Sequence, residues 1–210
     1  MRKLIVTNII SLDGHHEGQG NDVMALPMDA FFDSHNAERL RAAGTLLLGR
    51  KSYEMFKDFW PSLADDPEKV ATFTDDPEQR EVMREISRLN NAIEKVVVSD
   101  GLTADRTAPW TATTRIVARA EAHQRIAELK RGQGGDILVF GSRTLWNDLL
   151  AAGLVDELHL MIGAAVLGAG TPAFADGKTP PLRLLGTRSQ EGSDNFLVRY
   201  AVGSGDERRH

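Results

Sequence analysis

The sequence predicts an α/β fold: a twisted, mostly parallel sheet with helices on both faces and an antiparallel C-terminal edge. Three observations carry this. Short, near-continuously apolar runs recur along the chain, the pattern of strands covered on both faces. Longer segments with helical spacing alternate with them, as βαβ units require. The final strand candidates have no helix between them, so they return antiparallel.

The elements follow in order. Leu4–Ile10, rich in Ile, Val and Thr, is the first strand. Met1–Val6 imitates the start of a signal peptide, but Thr7 and Asn8 interrupt the apolar run and no small-residue cleavage pattern follows. Asp29–Ala43 is a helix with Gly44 as its C-cap. Thr45–Leu48 is a strand and Lys51–Asp58 a helix. Pro77–Asn90 is a helix in which Val82, Ile86 and Leu89 form one stripe, continued by Ile93. Strands at Lys95–Ser99 and Arg115–Ala118 precede a helix at Glu121–Lys130, which turns Ile126 and Leu129 inward. The strand Asp136–Phe140 runs into the helix Thr144–Ala152, which carries Leu145, Leu149 and Leu150 and stops at Gly153. Leu158–Ile162, Leu182–Thr187 and Asn195–Val202 complete the strands, the last with Phe196, Val198, Tyr200 and Val202 on one face. Asp-Asp-Pro-Glu occurs at Asp65–Glu68 and Asp75–Glu78. It reads as Asp caps with Pro in the first turn rather than as a metal site. Residues 1–202 form one domain on this reading, and Gly203–His210 a flexible polar tail.

Composition narrows the function classes. The chain has 210 residues, enough for one domain with its own core. Hydrophobic residues make up 41% and charged residues 26%, ordinary for a globular protein. There is no cysteine, which excludes disulfides, Cys-ligated zinc, iron–sulfur clusters and a thiol nucleophile, and fits a reducing cytoplasm. The formal charge of -5 leaves no basic footprint for general nucleic-acid binding. No apolar run approaches the ~20 residues of a membrane helix. There is no GxGxxG, no GxxxxGK[ST], no Gly-x-Ser-x-Gly elbow and no His/carboxylate metal set.

Five segments are candidates for chemistry. In Leu46–Tyr53 a strand ends at Gly49 and a helix starts at once, so free N–H groups and the positive dipole end face a ligand. Arg50 offers a fork matched to phosphate, Lys51 a charge and Ser52 a hydroxyl; a solvated basic pair on a capped helix is the bland alternative. Ile137–Leu145 repeats the design, with Gly141, Ser142, Arg143, Thr144 and Leu145 opening the next helix. Two such turns at the carboxyl ends of parallel strands suit a ligand crevice. Ser99, followed by Asp100-Gly101, either offers a hydroxyl to phosphate or ribose or belongs to a simple turn. Asp13 is a substrate ligand or a turn residue before Gly14, and the loop after it carries Gly18 and Gly20, a sign of mobility beside a site. His15 and His16 point apart on an extended chain; His35 and His123 read as surface helix residues. Asp29, after Leu26-Pro27, is by default a helix cap; against a site it would relay a proton.

The order of these pieces resembles the dihydrofolate-reductase-like superfamily, and within it the reductase domain of riboflavin-biosynthesis deaminase-reductases. The resemblance rests on Ser11–Gly14, Leu48–Tyr53, Lys95–Ser99, Gly141–Leu145, Gly153–Leu158 and Val166–Phe174, colinear over residues 4 to about 200. It implies an NADPH-dependent reductase acting on a C=N or C=O bond of a small heterocycle, pterin- or pyrimidine-like, and a homodimer. Arg50 would meet the 2′-phosphate, Gly49–Ser52 the phosphate region and Ser99 the adenosine end. Gly141–Leu145 would hold the pyrophosphate, and Ile10–Gly14 would face nicotinamide and substrate. Asp29 matches the acidic position of dihydrofolate reductases, although it lies farther from Gly49; Asp33, one turn on, is its rival. Relatives commonly carry Gly-Gly at Gly141-Ser142, often with a cis peptide, which would cost ~3 kcal/mol for Gly–Ser. The zinc deaminase half needs Pro-Cys-x-x-Cys, so a stand-alone reductase-like domain is expected. A non-catalytic binding domain or a dimeric scaffold of the same fold is the alternative.

Overall fold

The computed structural model describes residues 1–177 and 180–203; the part of the expected tail from residue 204 onward lies outside them. In chain order the elements are β1 (Leu4–Ser11), β2 (His15–Glu17), α1 (Ala30–Ala42), β3 (Ala43–Gly49), α2 (Arg50–Phe59), α3 (Pro67–Ala71), α4 (Pro77–Ala92), β4 (Glu94–Val98), β5 (Thr114–Val117), α5 (Ala122–Arg131), β6 (Asp136–Phe140), α6 (Arg143–Ala151), β7 (Glu157–Gly163), β8 (Thr171–Pro172), β9 (Leu182–Ser189) and β10 (Phe196–Val202).

Eight strands form one sheet in the order β5-β4-β3-β6-β1-β7-β10-β9. Every pair from β5 to β7 is parallel, and β10 runs antiparallel to both β7 and β9. The expected antiparallel edge is therefore present. Strand alternation divides the core into two layers. Leu4, Val6, Leu47, Val96, Ile137 and Val139 pack against Ile126 of α5 and Trp146 and Leu149 of α6. Their neighbours Ile5, Leu46, Leu48, Val97, Leu138 and Phe140 pack against Leu40 of α1, Tyr53 of α2 and Ile86 of α4. Both repeated acidic motifs are helix starts: Asp66 accepts from Lys69 N–H and Asp76 from Glu78 N–H.

Three expectations need correcting. Gly44 does not cap α1; it lies inside β3, where a Cβ would sit 3.0 Å from Gly135 N and 3.2 Å from the Arg2 guanidinium. The helix passes straight into the strand through Ala43. The glycine-rich segment after Asp13 is not an open loop. His15–Glu17 pairs with β8, and Thr171 Oγ1 donates to Glu17 Oε1 at 2.9 Å. His35 is not a surface residue: it is 3% exposed, because α1 turns it onto β7. His123 is exposed as expected, bonded to Asp148 at 2.7 Å.

Candidate functional site

The topology singles out one place on the carboxyl edge. β6 continues into α6, on one face of the sheet; its neighbours β3 and β1 continue towards α2 and α1, on the other. The chain thus opens a crevice at the end of β6, the switch point at which ligands bind in open α/β sheets. Gly49 and Gly141–Ser142, the two turns expected to meet a phosphate, lie at this point.

There they are joined. Gly49 N–H donates to Ser142 Oγ at 3.0 Å, and Ser142 N–H donates to Ser52 Oγ at 2.9 Å. Gly141 N–H donates to Asn8 Oδ1 at 2.7 Å. Gly141 and Ser142 both adopt the left-handed conformation, φ 53° and 50°. For serine this conformation costs roughly 1–2 kcal/mol, so the surrounding hydrogen bonds hold it. The Gly141–Ser142 peptide is trans; the cis bond among the described residues is Ala108–Pro109.

The two helices that open here, α2 and α6, have no side-chain cap. By contrast α1, α3 and α4 each carry an Asp cap. Uncapped first turns present N–H donors and a partial positive charge, the combination that binds phosphate. Arg50 stands beside them, half exposed, 4.0 Å from Glu54 and 3.3 Å from where a Cβ on Gly101 would be. It therefore meets the Ser99–Gly101 turn, which follows the neighbouring strand β4. Lys51 and Thr144 are exposed.

Other expected residues are engaged elsewhere. Ser99 Oγ accepts from Gly101 N–H at 3.1 Å and Leu102 N–H at 3.0 Å, closing its own turn. Arg143 donates to the Pro172 and Phe174 carbonyls. The Leu145 side chain is in the core, so its contribution is its backbone. Asp13 accepts from Ser11 Oγ at 2.6 Å, Leu167 N–H at 3.1 Å and Gly168 N–H at 2.7 Å. These bonds, the Ser11 hydroxyl first, hold its carboxyl well below the usual carboxylate range. In this structure it ties the loop after β7 to the end of β1.

Two carboxyls start α1. Asp29 caps it through Phe32 N–H at 3.0 Å and accepts the Ser193 hydroxyl on its other oxygen. Asp33, one turn on the same face, accepts a single contact from Gln79, at 3.4 Å. Burial pushes its carboxyl up to about 6, and the nearby Asp29 adds to the rise. A carboxyl of this kind keeps a proton in mildly acidic solution, where an ordinary aspartate has lost it.

Sequence reading gave Asn8 no role of its own. The polar interruption of β1 was its signal, but only the register of β1 against β6, Thr7 beside Phe140, shows that it reaches Gly141. Two cavities, of about 610 and 470 Å³, lie away from the crevice, one under α5 and one between Glu54 and Arg106. The rim charges of the first are paired, Arg115 with Glu94 and Arg125 with Glu121. The second has no apolar wall beyond Ala108. The crevice, with its unbonded helix ends, is the stronger candidate.

A family described as the RibD C-terminal domain matches residues 2–198. The uncharacterized protein YyaP of Bacillus subtilis (strain 168) is 29% identical over 189 residues, covering 90% of this chain and 89% of that protein. A putative riboflavin biosynthesis protein from Shewanella sp. PV-4 has the same fold, with a TM-score of 0.65 at 15% identity over 96% of this chain and 99% of the other. RibD of Acinetobacter baumannii gives 0.62 at 17% identity, over 97% of this chain but 58% of that one. Dihydrofolate reductase from Enterococcus faecalis, complexed with NADP(H), gives 0.56 at 14% identity over 96% and 97%. No described helix is long and apolar enough to cross a membrane.

Proposed function

The chain belongs to the RibD C-terminal domain family, and from that premise we propose that it is an NADPH-dependent reductase of the riboflavin-pathway type. It would reduce a C=N or C=O bond of a small pterin- or pyrimidine-like heterocycle. The observation that carries the reading is the pair of uncapped helix starts joined at the switch point by Gly49 and Ser142.

The residues fit a dinucleotide. The first turns of α2 and α6 would hold its diphosphate, and Arg50 the 2′-phosphate, where an exposed guanidinium can bind it in a fork. Ser99 shapes the turn beneath that end. Bound NADPH supplies the hydride. The chain supplies alignment and a proton at the start of α1. Asp33 holds that proton, because its carboxyl is the desolvated one, and Asp29 sits beside it as cap and charge. Asp13 keeps the loop after β7 against the substrate end.

A cytoplasmic homodimer is part of the same proposal. Leu182, Leu184 and Leu185 of β9 and Phe196 of β10 are exposed on the outermost strands. β9 is an eight-residue unpaired edge, which isolated proteins seldom leave open. A non-catalytic binding domain of the same fold is the second reading, favoured by the strained serine at position 142. Parallel titration with NADPH and NADH, followed by NADPH oxidation assays with pterins and aminopyrimidines, separates the two. Tight NADPH binding with no turnover on any of them supports the second.

A further inference from the structure

A buried arginine stands at the amino edge of the sheet, away from the crevice. Arg2, just before β1, is 8% exposed. Its Nε donates to the Gly135 carbonyl at 2.6 Å and its Nη2 to Thr45 Oγ1 at 2.7 Å. Both partners are neutral. Among the described residues Nη1 has no partner and the guanidinium forms no ion pair. Glu94 and Asp136 act on it only from a distance, and burial outweighs them, pushing its pKa down. Glu94 is already engaged: its oxygens take Thr45 Oγ1 at 3.3 Å and the Arg115 guanidinium at 3.3 Å. A buried charge without a close counter-charge is costly. Arg2 lines a cavity of about 610 Å³. Val96 and Val117 of the sheet and Ile126 and Leu129 of α5 give this cavity apolar walls. Arg125 on its rim is held by Glu121 at 3.4 Å and Glu128 at 3.2 Å. Of the three arginines that line the cavity, Arg2 is therefore the one without a carboxylate among the described residues. Thr45 precedes Gly49 by four residues on β3, so roughly 13 Å of strand separate this place from the crevice.

We propose that this cavity is a second ligand site, for a small monocarboxylate with an apolar tail: the carboxylate takes the open N–H groups of Arg2, and the tail lies between the sheet and α5. Apolar walls with one convergent polar group are the usual make-up of a small-molecule site, and the volume falls in the usual range of roughly 300–1,000 Å³. The local charge selects a single negative charge rather than a phosphate, because Glu94 and Asp136 repel each charge added beside Arg2. The site shares no residue with the crevice and stands whether or not the chain binds a dinucleotide.

Isothermal titration calorimetry with octanoate, 1-octanol, acetate and inorganic phosphate tests this on the wild type, Arg2→Gln and Glu94→Gln. Thermal melting monitors the fold. Octanoate should bind the wild type saturably. 1-Octanol, which lacks the charge, and acetate, which lacks the tail, should each bind at least about 10-fold more weakly. Arg2→Gln should weaken octanoate by about 10-fold or more. Glu94→Gln keeps an acceptor for Thr45 and removes the largest negative charge acting on Arg2, so it should tighten octanoate about threefold or more. Absence of octanoate binding to the wild type overturns the site. Equal affinity for octanoate and either 1-octanol or acetate overturns it as well, since the charge or the tail then does nothing. Phosphate binding tighter than octanoate overturns the ligand class. An Arg2→Gln protein that melts like the wild type and binds octanoate equally well removes Arg2 from the site and overturns the proposal. If Arg2→Gln does not fold, Glu94→Gln decides: an affinity equal to or below that of the wild type overturns the proposal.

Discussion

The Gly49 N–H donates to the Ser142 hydroxyl at 3.0 Å, across 93 positions of sequence. This bond joins the ends of β3 and β6, two strands whose following helices leave on opposite faces of the sheet. Each helix start alone is an ordinary feature. Joined, they bring two uncapped helix starts to one place with a strained serine between them.

Arg50 is half exposed beside the Ser99–Gly101 turn, and its closest carboxylate, Glu54, is 4.0 Å away. Arg50→Ala therefore weakens NADPH by about 10-fold or more and NADH by less than twofold, because only the former carries a 2′-phosphate. Calorimetric titration with both cofactors reads this directly. Equal loss for both would remove the 2′-phosphate assignment.

Asp33 has its carboxyl raised to about 6 by burial. Turnover should therefore be highest below that pH and fall above it, as the proton is lost. Asp33→Asn should lower kcat about 100-fold and remove the step. Asp29→Asn, which keeps a capping side chain, should lower turnover less and move the step to lower pH, because a neighbouring negative charge has gone. Cofactor affinity should be nearly unchanged in both. A kcat that is flat across pH 5 to 8 in the wild type would leave both carboxyls as structural.

His35 packs against His159 with ring centroids 5.5 Å apart, facing Glu38 and Arg39 of α1, Glu157 of β7, Arg188 of β9 and Arg199 of β10. Burial, followed by the charges of His159, Arg188 and Arg39, pushes its imidazole down to about 3. Between about 6.5 and 3 the unfolded chain binds a proton there that the folded chain does not. This contribution makes stability fall as pH falls through that window. Asp33 works in the opposite sense over part of the same range. Its folded carboxyl keeps a proton that the unfolded one has lost, so stability falls as pH rises from about 4 to 6. Urea titrations of the wild type, His35→Phe and Asp33→Asn at several pH values separate the two. His35→Phe should flatten the acid side, and Asp33→Asn the rise in instability towards pH 6. Identical slopes in all three proteins would contradict both assignments.

Leu184 is 55% exposed on the outermost strand. Leu184→Glu should convert a dimer into a monomer with little change in melting temperature, as read by sedimentation velocity. A wild type that sediments as a monomer at tens of micromolar would remove this edge as the interface.

The strands and most helices were legible because their patterns are local: alternation of Leu46, Leu47 and Leu48 between two helical layers leaves a near-continuous apolar run. β2 and β8 were not legible, since three and two residues carry no period and their pairing is long-range. The Gly44 cap was misread because a glycine after a helix fits two roles, and the one it has depends on Gly135 approaching from a distant loop. At the site, the residue types at Gly49, Arg50, Ser52, Gly141 and Ser142 suggested phosphate. That Ser142 bonds to Gly49, and that Asn8 supports Gly141, depends on the order of strands in the sheet, which no single segment encodes. His35 looked superficial because its neighbours on α1 are polar; a partner from β7 buries it.

The central claim is that the joined helix starts bind a phosphorylated dinucleotide. The most direct test is a parallel titration of the purified protein with NADPH and NADH, following nicotinamide fluorescence and the tryptophan signal. The account predicts saturable binding of both, with NADPH at least 10-fold tighter through Arg50. Absence of binding to either, by a protein that melts cooperatively, would contradict it.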